Sequence, residues 1–131
     1  MKTSSRRAVA ELARLLRGAK RFQSASELAE WDAETVMPSG GAAARGEVLG
    51  ALQGAAHARL TSKDFARALG AVCDLRSGAA KAGLSPAEAA LVREAYWRFD
   101  RARRLPARLV EETARAQSAS QHVWVEARRR S

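Results

Sequence analysis

The sequence has 131 residues, of which 47% are apolar, with a net charge of +9 and a single cysteine. This length fits one domain, and the apolar fraction excludes wholesale disorder. No apolar run approaches the ~20 residues that span a bilayer, and a single cysteine excludes an intrachain disulfide. Because the start also lacks the unbroken apolar core of a signal peptide, we expect a cytoplasmic protein that associates with no membrane.

The first 41 residues predict two helices and a turn. Apolar residues recur at helical spacing from Ser5 to about Lys20 and again from Ser24 to Val36. In the second of these segments Leu28, Trp31 and Thr35 lie on one stripe. The run Met37-Pro38-Ser39-Gly40-Gly41 predicts a stop, because proline disfavours helix in the residue before it and glycine costs entropy.

The rest of the chain predicts further helices joined by short turns. Residues 42–60 form a third helix, and a short helix follows through Phe65. Small residues predict a loop at 77–83. Ser85-Pro86-Ala87-Glu88 has the form of a capping box that opens a helix ending near 104, and the last helix covers about 106–128.

These elements predict an all-α fold, an antiparallel bundle of about five to six helices with short turns, in a single helical domain over residues 1–131. No stretch alternates like a half-buried strand. Because alanine buries little area, we expect the core to depend on leucines and on the three tryptophans. The residues expected in it are Leu12, Leu15, Leu16, Leu28, Leu49, Leu52, Leu91, Leu109, Trp31, Trp97 and Trp124. The last helix is expected to turn inward the stripe Leu109, Val110, Thr113, Gln117, Ser120 and Trp124.

Few residues suggest chemistry. Glu30 and Glu34 share a helix face and could bind a cation or serve in acid–base chemistry, or they could belong to a solvated face beside a core tryptophan. His122 and Glu126 are four apart and could chelate a metal, but a catalytic zinc takes about three protein ligands. The third would have to be His57, Cys73 or a distant carboxylate. A nucleophilic cysteine needs a histidine nearby in space, which the sequence does not indicate.

Three stretches resemble one protein family. The segment Trp31-Asp32-Ala33-Glu34-Thr35-Val36-Met37-Pro38-Ser39-Gly40-Gly41-Ala42 resembles an amino-terminal segment of the carboxypeptidase Taq family. Residues 84–112, with Leu-Ser-Pro at their start, are similar to a later part of that family, and Gln121-His122-Val123-Trp124-Val125-Glu126-Ala127-Arg128 is similar to its following helix. Order and spacing agree across about residues 22–128.

The resemblance implies a helical metallocarboxypeptidase, often a homodimer, that uses zinc or cobalt. The family holds its metal with a His-Glu-x-x-His helix and a later glutamate, and this sequence contains no such motif. We therefore expect a truncated, non-catalytic chain that has no cofactor of its own and no catalytic or metal-binding residue. The residues expected to flank the family's substrate groove, or to support it, are Trp31, Asp32, Glu34, Met37, Pro38, His122, Trp124 and Glu126.

For function we expect a structural, oligomerisation or regulatory module. Helix faces that pack on other parts of such an enzyme would be exposed here, so we expect a homo-oligomer, a symmetric dimer above all. A full-length peptidase of the same family is a second expected partner. The alternative is a basic helical nucleic-acid-binding protein, which we do not favour because aromatic residues suited to stacking are few and expected to be buried.

Overall fold

The structure, a computed structural model, describes the backbone of residues 2–130 and the side chains of residues 4–130. Met1 and Ser131, the two ends of the predicted domain, lie outside the described residues. Within the described part the chain forms five α-helices, one short 3-10 turn at Ser39–Gly41 and no strand, so the all-α prediction is confirmed. The helices are α1 Lys2–Thr35, α2 Ala42–Leu60, α3 Lys63–Val72, α4 Pro86–Ala102 and α5 Ala107–Arg130.

α1 is one continuous helix, so the predicted break between two helices at residues 20–24 is wrong. Residues 21–23 contain neither glycine nor proline, and nothing there interrupts helical hydrogen bonding. Ser26 is fully buried inside the helix. Its hydroxyl accepts a hydrogen bond from Gln53 Nε2 at 2.9 Å and lies 3.4 Å from Glu30 Oε1. The serine therefore joins α1 to α2.

The residues group into two compact units, one formed by Met1–Lys20 with Ala58–Leu105 and the other by Arg21–His57 with Pro106–Ser131. α1 and α2 each contribute to both units. α3 and α4 belong to the first unit, and α5 belongs to the second.

The first unit contains the main hydrophobic core. The rings of Phe65 on α3 and Phe99 on α4 stack with their centroids 6.2 Å apart. Around them lie buried aliphatic residues of α1, α3 and α4, which include Leu12, Leu16, Leu69, Val72 and Val92. These side chains repeat at three and four residue spacings, so one stripe of each helix faces the core.

Two side-chain caps fix where the helices of the first unit begin. Ser62 accepts a hydrogen bond from the Phe65 N–H at 3.1 Å and starts α3. At α4 the predicted capping box is confirmed, because Ser85 Oγ accepts from the Glu88 N–H at 3.3 Å and Glu88 Oε2 accepts from the Ser85 N–H at 2.8 Å. The Ser85 backbone N–H stabilises the ionised carboxylate and lowers the pKa of Glu88.

The loop between α3 and α4 was predicted from its small residues, and it has a defined hydrogen-bond network. Cys73 forms an isolated bridge with Ala80. The Asp74 carboxylate accepts from the Arg76 N–H at 2.8 Å and from Ser77 Oγ at 2.9 Å. These hydrogen bonds, the backbone one first, lower the pKa of Asp74. The loop is therefore held in one conformation by its own polar groups.

In the second unit α2 and α5 run antiparallel and approach closely through the buried glycines of α2. A Cβ atom on Gly46 would lie 3.5 Å from Ser118 Oγ, and one on Gly54 would lie 2.7 Å from Glu111 Oε1. Because the numbers rise along α2 while they fall along α5, the two helices are antiparallel. Between these positions a Cβ on Gly50 would lie 3.2 Å from Arg115 Cγ. Glycines four residues apart therefore form the contact surface of α2.

The expected core is wrong for most of the second unit. Its buried residues include Ser26, Ala29, Ala56 and Ala114, and Leu49 is the only large aliphatic side chain among the buried residues of its described part. Four residues of this unit that were predicted for the core are exposed, namely Leu28, Leu109, Trp31 and Trp124, and a fifth, Trp97, is exposed in the first unit. Glycine and alanine allow the helix axes to come close, which leaves no room between them for large side chains. The predicted inward stripe of α5 is wrong except at the half-buried Val110: its other members are exposed, and Ala114 is buried instead.

Candidate functional site

Two of the three family-like segments, 31–42 and 121–128, belong to the second unit, whereas most of the third, 84–112, belongs to the first. The Asp32 carboxylate of α1 forms an ion pair with Arg45 of α2, and the next residue of α2, Gly46, faces Ser118 of α5. The antiparallel register therefore places the carboxyl end of α1, the amino end of α2 and the later turns of α5 at the same level. Sequence alone predicted these segments separately, and the structure brings them together.

Asp32 links α1 to α2 and also ends α1. Its side chain and that of Arg45 are both about 30% exposed, at 31% and 28%, so water screens the ion pair only in part. Its carbonyl oxygen accepts hydrogen bonds from the N–H groups of Val36 at 3.1 Å and Met37 at 3.0 Å. Asp32, one of the residues expected to flank or support a groove, therefore serves helix packing through its carboxylate and helix termination through its backbone carbonyl.

Met37 and Pro38 build the turn after α1. Pro38 has φ −59° and ψ 146°, and its carbonyl accepts a hydrogen bond from the Gly41 N–H at 2.9 Å. The half-buried Met37 side chain covers Gly41 so closely that a Cβ there would lie 3.1 Å from Met37 Cγ. Glu34 is exposed on the last turn of α1. The sequence Met-Pro-x-Gly-Gly thus makes a compact reversal that directs the chain into α2.

On α5 the polar candidates interact with each other. His122 Nε2 lies 3.6 Å from Glu126 Oε1, and Arg130 lies 3.9 Å from the other carboxylate oxygen of Glu126. Trp124 is 53% exposed, and the Arg128 guanidinium lies 4.7 Å from the centroid of its ring. The expected pair of His122 and Glu126 exists, on a helix surface.

The side chains do not fit the divalent metal that the resemblance implies for the family. Among the described residues no three histidine, cysteine, aspartate or glutamate side chains come together in a way that could hold an ion. His122 and Glu126 supply two donors, and Glu30 and Glu34 likewise supply two. We therefore derive no chemical step that passes through a metal in this chain.

Cys73 lacks the surroundings of a reactive thiol. It is 2% exposed in the core of the first unit, and burial raises the pKa of its thiol, with Asp74 adding a smaller effect in the same direction. A nucleophilic cysteine needs the opposite shift, because the thiolate is the attacking species. The thiol acts as a small apolar core group.

Sequence interpretation missed the contacts that hold the second unit together. Arg115 of α5 reaches Glu47 of α2 at 3.1 Å and Glu111 of its own helix at 3.5 Å. The only sequence sign of this interface is the spacing of Gly46, Gly50 and Gly54, which places three glycines on one face of α2. Read as a contact surface, that spacing would have predicted the pairing of α2 with a neighbouring helix.

The second unit exposes most of the large apolar side chains that lie on the surface. Seven of the nine large exposed apolar side chains in the described part of the chain belong to it. Leu28 and Trp31 are neighbours on α1, 65% and 58% exposed, and Val123 and Trp124 are neighbours on α5. Scattered apolar residues are normal on a surface, whereas adjacent ones mark interaction sites.

Comparisons with known proteins give one family and no individual relative. The sequence model of the family described as carboxypeptidase Taq (M32) metallopeptidase matches residues 11–131, which is most of the chain. Neither the curated proteins nor the solved structures contain a match to the sequence or the fold. Over residues 2–130, no helix is both long enough and apolar enough to cross a bilayer.

Proposed function

Because the chain belongs to the carboxypeptidase Taq (M32) metallopeptidase family, we propose that it is a non-catalytic helical part of such a peptidase, truncated relative to the whole enzyme. Its role is structural: it presents helix faces on which another protein surface packs, a second copy of itself first and a full-length peptidase second. The buried Cys73 is consistent with a reducing compartment, which supports the cytoplasmic location included in this proposal.

The observation that carries the proposal is the outward orientation of the aromatic residues in the family-like segments. Trp31 and Trp124 belong to the two segments that meet at one end of the second unit, and both are more than half exposed. The polar residues beside them, Asp32 and Glu126, form ion pairs with arginines. Such a surface supplies apolar area for association, while its charged groups already stabilise the helices.

We expect the purified chain to release no amino acid from the carboxyl end of peptides, because metal-dependent hydrolysis needs a held metal ion and a base. The measurement is amino-acid release from a panel of unblocked peptides with added zinc or cobalt, with and without chelator. A full-length peptidase of the family serves as the positive control. Turnover by this chain that a chelator abolishes would refute its non-catalytic role.

Nucleic-acid binding remains the second candidate, and one observation favours it more than the sequence did. The tryptophans expected in the core are exposed, and Arg101 and Arg128 lie 4.7 Å from the ring centroids of Trp97 and Trp124. Exposed aromatic rings beside arginines are the elements that stack bases and contact phosphates. The net charge of +9 acts in the same direction.

A gel-shift titration with single-stranded DNA and RNA tests this second candidate, and we expect it to show no specific binding of nucleic acid. At moderate salt no shifted band should form, and any band at low salt should vanish as salt rises, because non-specific phosphate contacts are lost. Binding that persists at physiological salt and weakens when Trp124 is replaced by alanine would favour the second candidate.

A further inference from the structure

An apolar stripe lies open on the part of α1 that belongs to the second unit. Leu28 and Trp31 are three residues apart, so they share one side of the helix, and both are more than half exposed. Thr35 follows one turn later on the same side, and its hydroxyl donates a hydrogen bond to the Trp31 carbonyl oxygen at 2.7 Å. We name these three residues the Trp31 face. Because its one hydroxyl already has a partner, another protein can cover the face without burying an unsatisfied donor.

The charged side chains that border the Trp31 face are carboxylates. Glu27 and Glu34 lie four residues before and three residues after Trp31, on its side of the helix, and both are exposed. Over residues 4–130 neither glutamate forms an ion pair. Two unpaired negative charges therefore stand beside the exposed indole ring.

The other two acidic residues of this segment already have partners within the second unit. Glu30 Oε1 accepts a hydrogen bond from the buried Ser26 hydroxyl at 3.4 Å. The Asp32 carboxylate forms the ion pair with Arg45 of α2, which offsets both of those charges. Glu27 and Glu34 are therefore the carboxylates that remain available to a partner.

The Trp31 face reverses the sign of the chain locally. Residues 22–44 contain four of the 14 acidic residues and neither lysine nor arginine, whereas the whole chain has a net charge of +9. The nearest basic residues along the sequence are Arg21, about two turns before Leu28, and the paired Arg45. A partner with positive charges is therefore attracted to this face and repelled by most of the remaining surface.

A basic amphipathic helix has the chemistry that complements this face. Its apolar stripe would cover Leu28 and Trp31, and lysine or arginine beside that stripe would meet Glu27 and Glu34. A large exposed tryptophan at the centre of such a contact is the kind of residue that dominates binding energy. We propose that the Trp31 face docks a basic amphipathic helix of a different protein. This inference goes beyond the proposed self-association, because it assigns the face to a partner of another kind.

The other exposed tryptophans of this chain do not supply that chemistry. Trp97 has Glu94 three residues before it and Asp100 three residues after it, and Trp124 has Glu126 two residues after it. A second copy that used either tryptophan would bring carboxylates towards the two glutamates of the Trp31 face, which is unfavourable. The same glutamates repel the phosphates of nucleic acid, so a basic helix from another protein is the occupant that the charges favour.

Titration calorimetry with a designed peptide tests the docking. The probe is an amidated peptide of about 18 residues, about 27 Å long as a helix, with leucines on one stripe and lysines elsewhere. One matched peptide has glutamate in place of every lysine, and another has the same composition in an order that forms no stripe. We expect the basic amphipathic peptide to bind the unaltered chain at least about tenfold more tightly than either matched peptide.

Two variants of the chain test whether the peptide binds at the Trp31 face. The first carries Glu27→Gln and Glu34→Gln, which remove both charges at nearly constant size, and the second carries Trp31→Ala. We expect each variant to bind the basic peptide at least about tenfold more weakly. The charge variant should also lose most of the salt dependence of binding, since exposed charges are screened by salt.

Matched controls lie at exposed positions of the first unit. Asp64→Asn with Glu94→Gln removes the same number of negative charges, and Trp97→Ala removes an exposed tryptophan of similar accessibility. Both controls should bind the basic peptide as the unaltered chain does. Far-ultraviolet circular dichroism checks that every variant keeps its helix content, and the charge variant and Trp31→Ala each test the face independently of the other.

The possible outcomes separate this inference from the proposed self-association, which sedimentation of the chain without peptide measures. Weaker binding in both face variants, with full binding in the controls, supports the docking. The inference is overturned if the basic peptide binds no better than the matched peptides, if a face variant binds as tightly as the unaltered chain, or if the controls lose binding too. Loss of self-association in the Glu27→Gln, Glu34→Gln variant would show that a second copy occupies the face, which overturns the assigned partner. A monomeric chain that binds the basic peptide through this face contradicts only the proposed self-association.

Discussion

Replacing Phe65 by alanine is expected to lower the free energy of unfolding by about 3–5 kcal/mol. Phe65 is 0% exposed, and its ring stacks on Phe99 in the centre of the first unit. Removing the ring loses its transfer free energy and leaves a cavity that the surrounding helices fill only in part. Since small domains are stable by about 5–15 kcal/mol, this is a large fraction of the total.

Urea unfolding followed by circular dichroism measures the effect, with Phe65→Leu and Trp97→Ala as matched comparisons. The leucine keeps most of the buried volume and should cost less than about 1.5 kcal/mol. Trp97 is a larger aromatic residue, but it is 52% exposed, so its loss should cost less than about 1 kcal/mol. If Trp97→Ala destabilised the protein as much as Phe65→Ala, the placement of Phe65 in the core and of Trp97 at the surface of the first unit would be wrong.

The first unit was largely predictable from sequence, because its residues obey local rules. Ser85 and Glu88 form the capping box that their spacing predicted, and Phe65 lies on the apolar stripe of a short helix as expected. Where prediction failed, the reason is that no local rule applies. In the second unit, for example, the burial of Ser26 against Gln53 depends on a residue 27 positions away.

The second unit was less predictable, since its helices pack through their smallest residues. Rules that assign large apolar residues to the interior place Trp31 and Trp124 inside, whereas close contact at Gly50 leaves space only for glycine and alanine. The same holds for the candidate site. The family resemblance identified its residues, but it did not predict that the tryptophans among them face outward. An apolar stripe on a helix predicts that the helix packs against another surface. The sequence does not show whether that surface belongs to the same chain or to another protein.

Replacing Gly78 by alanine is expected to lower the free energy of unfolding by about 2–4 kcal/mol, through backbone strain and a steric clash together. Gly78 has φ +75°, a conformation that residues with a Cβ atom seldom adopt. An added Cβ would also lie 2.4 Å from two atoms of the Tyr96 ring. The ring is not free to move aside, because the Tyr96 hydroxyl donates a hydrogen bond to the Arg76 carbonyl at 3.1 Å.

Gly83→Ala isolates the strain, since Gly83 has φ +88° and nothing within 4 Å of the new Cβ atom. It should cost only about 1 kcal/mol in the same urea titration. Combining Gly78→Ala with Tyr96→Ala isolates the clash: in the background without the ring, the glycine substitution should cost no more than it does at Gly83. If Gly78→Ala and Gly83→Ala lowered the free energy of unfolding equally in the unaltered background, the Tyr96 ring would have moved aside. The positive φ alone would then explain why position 78 needs glycine.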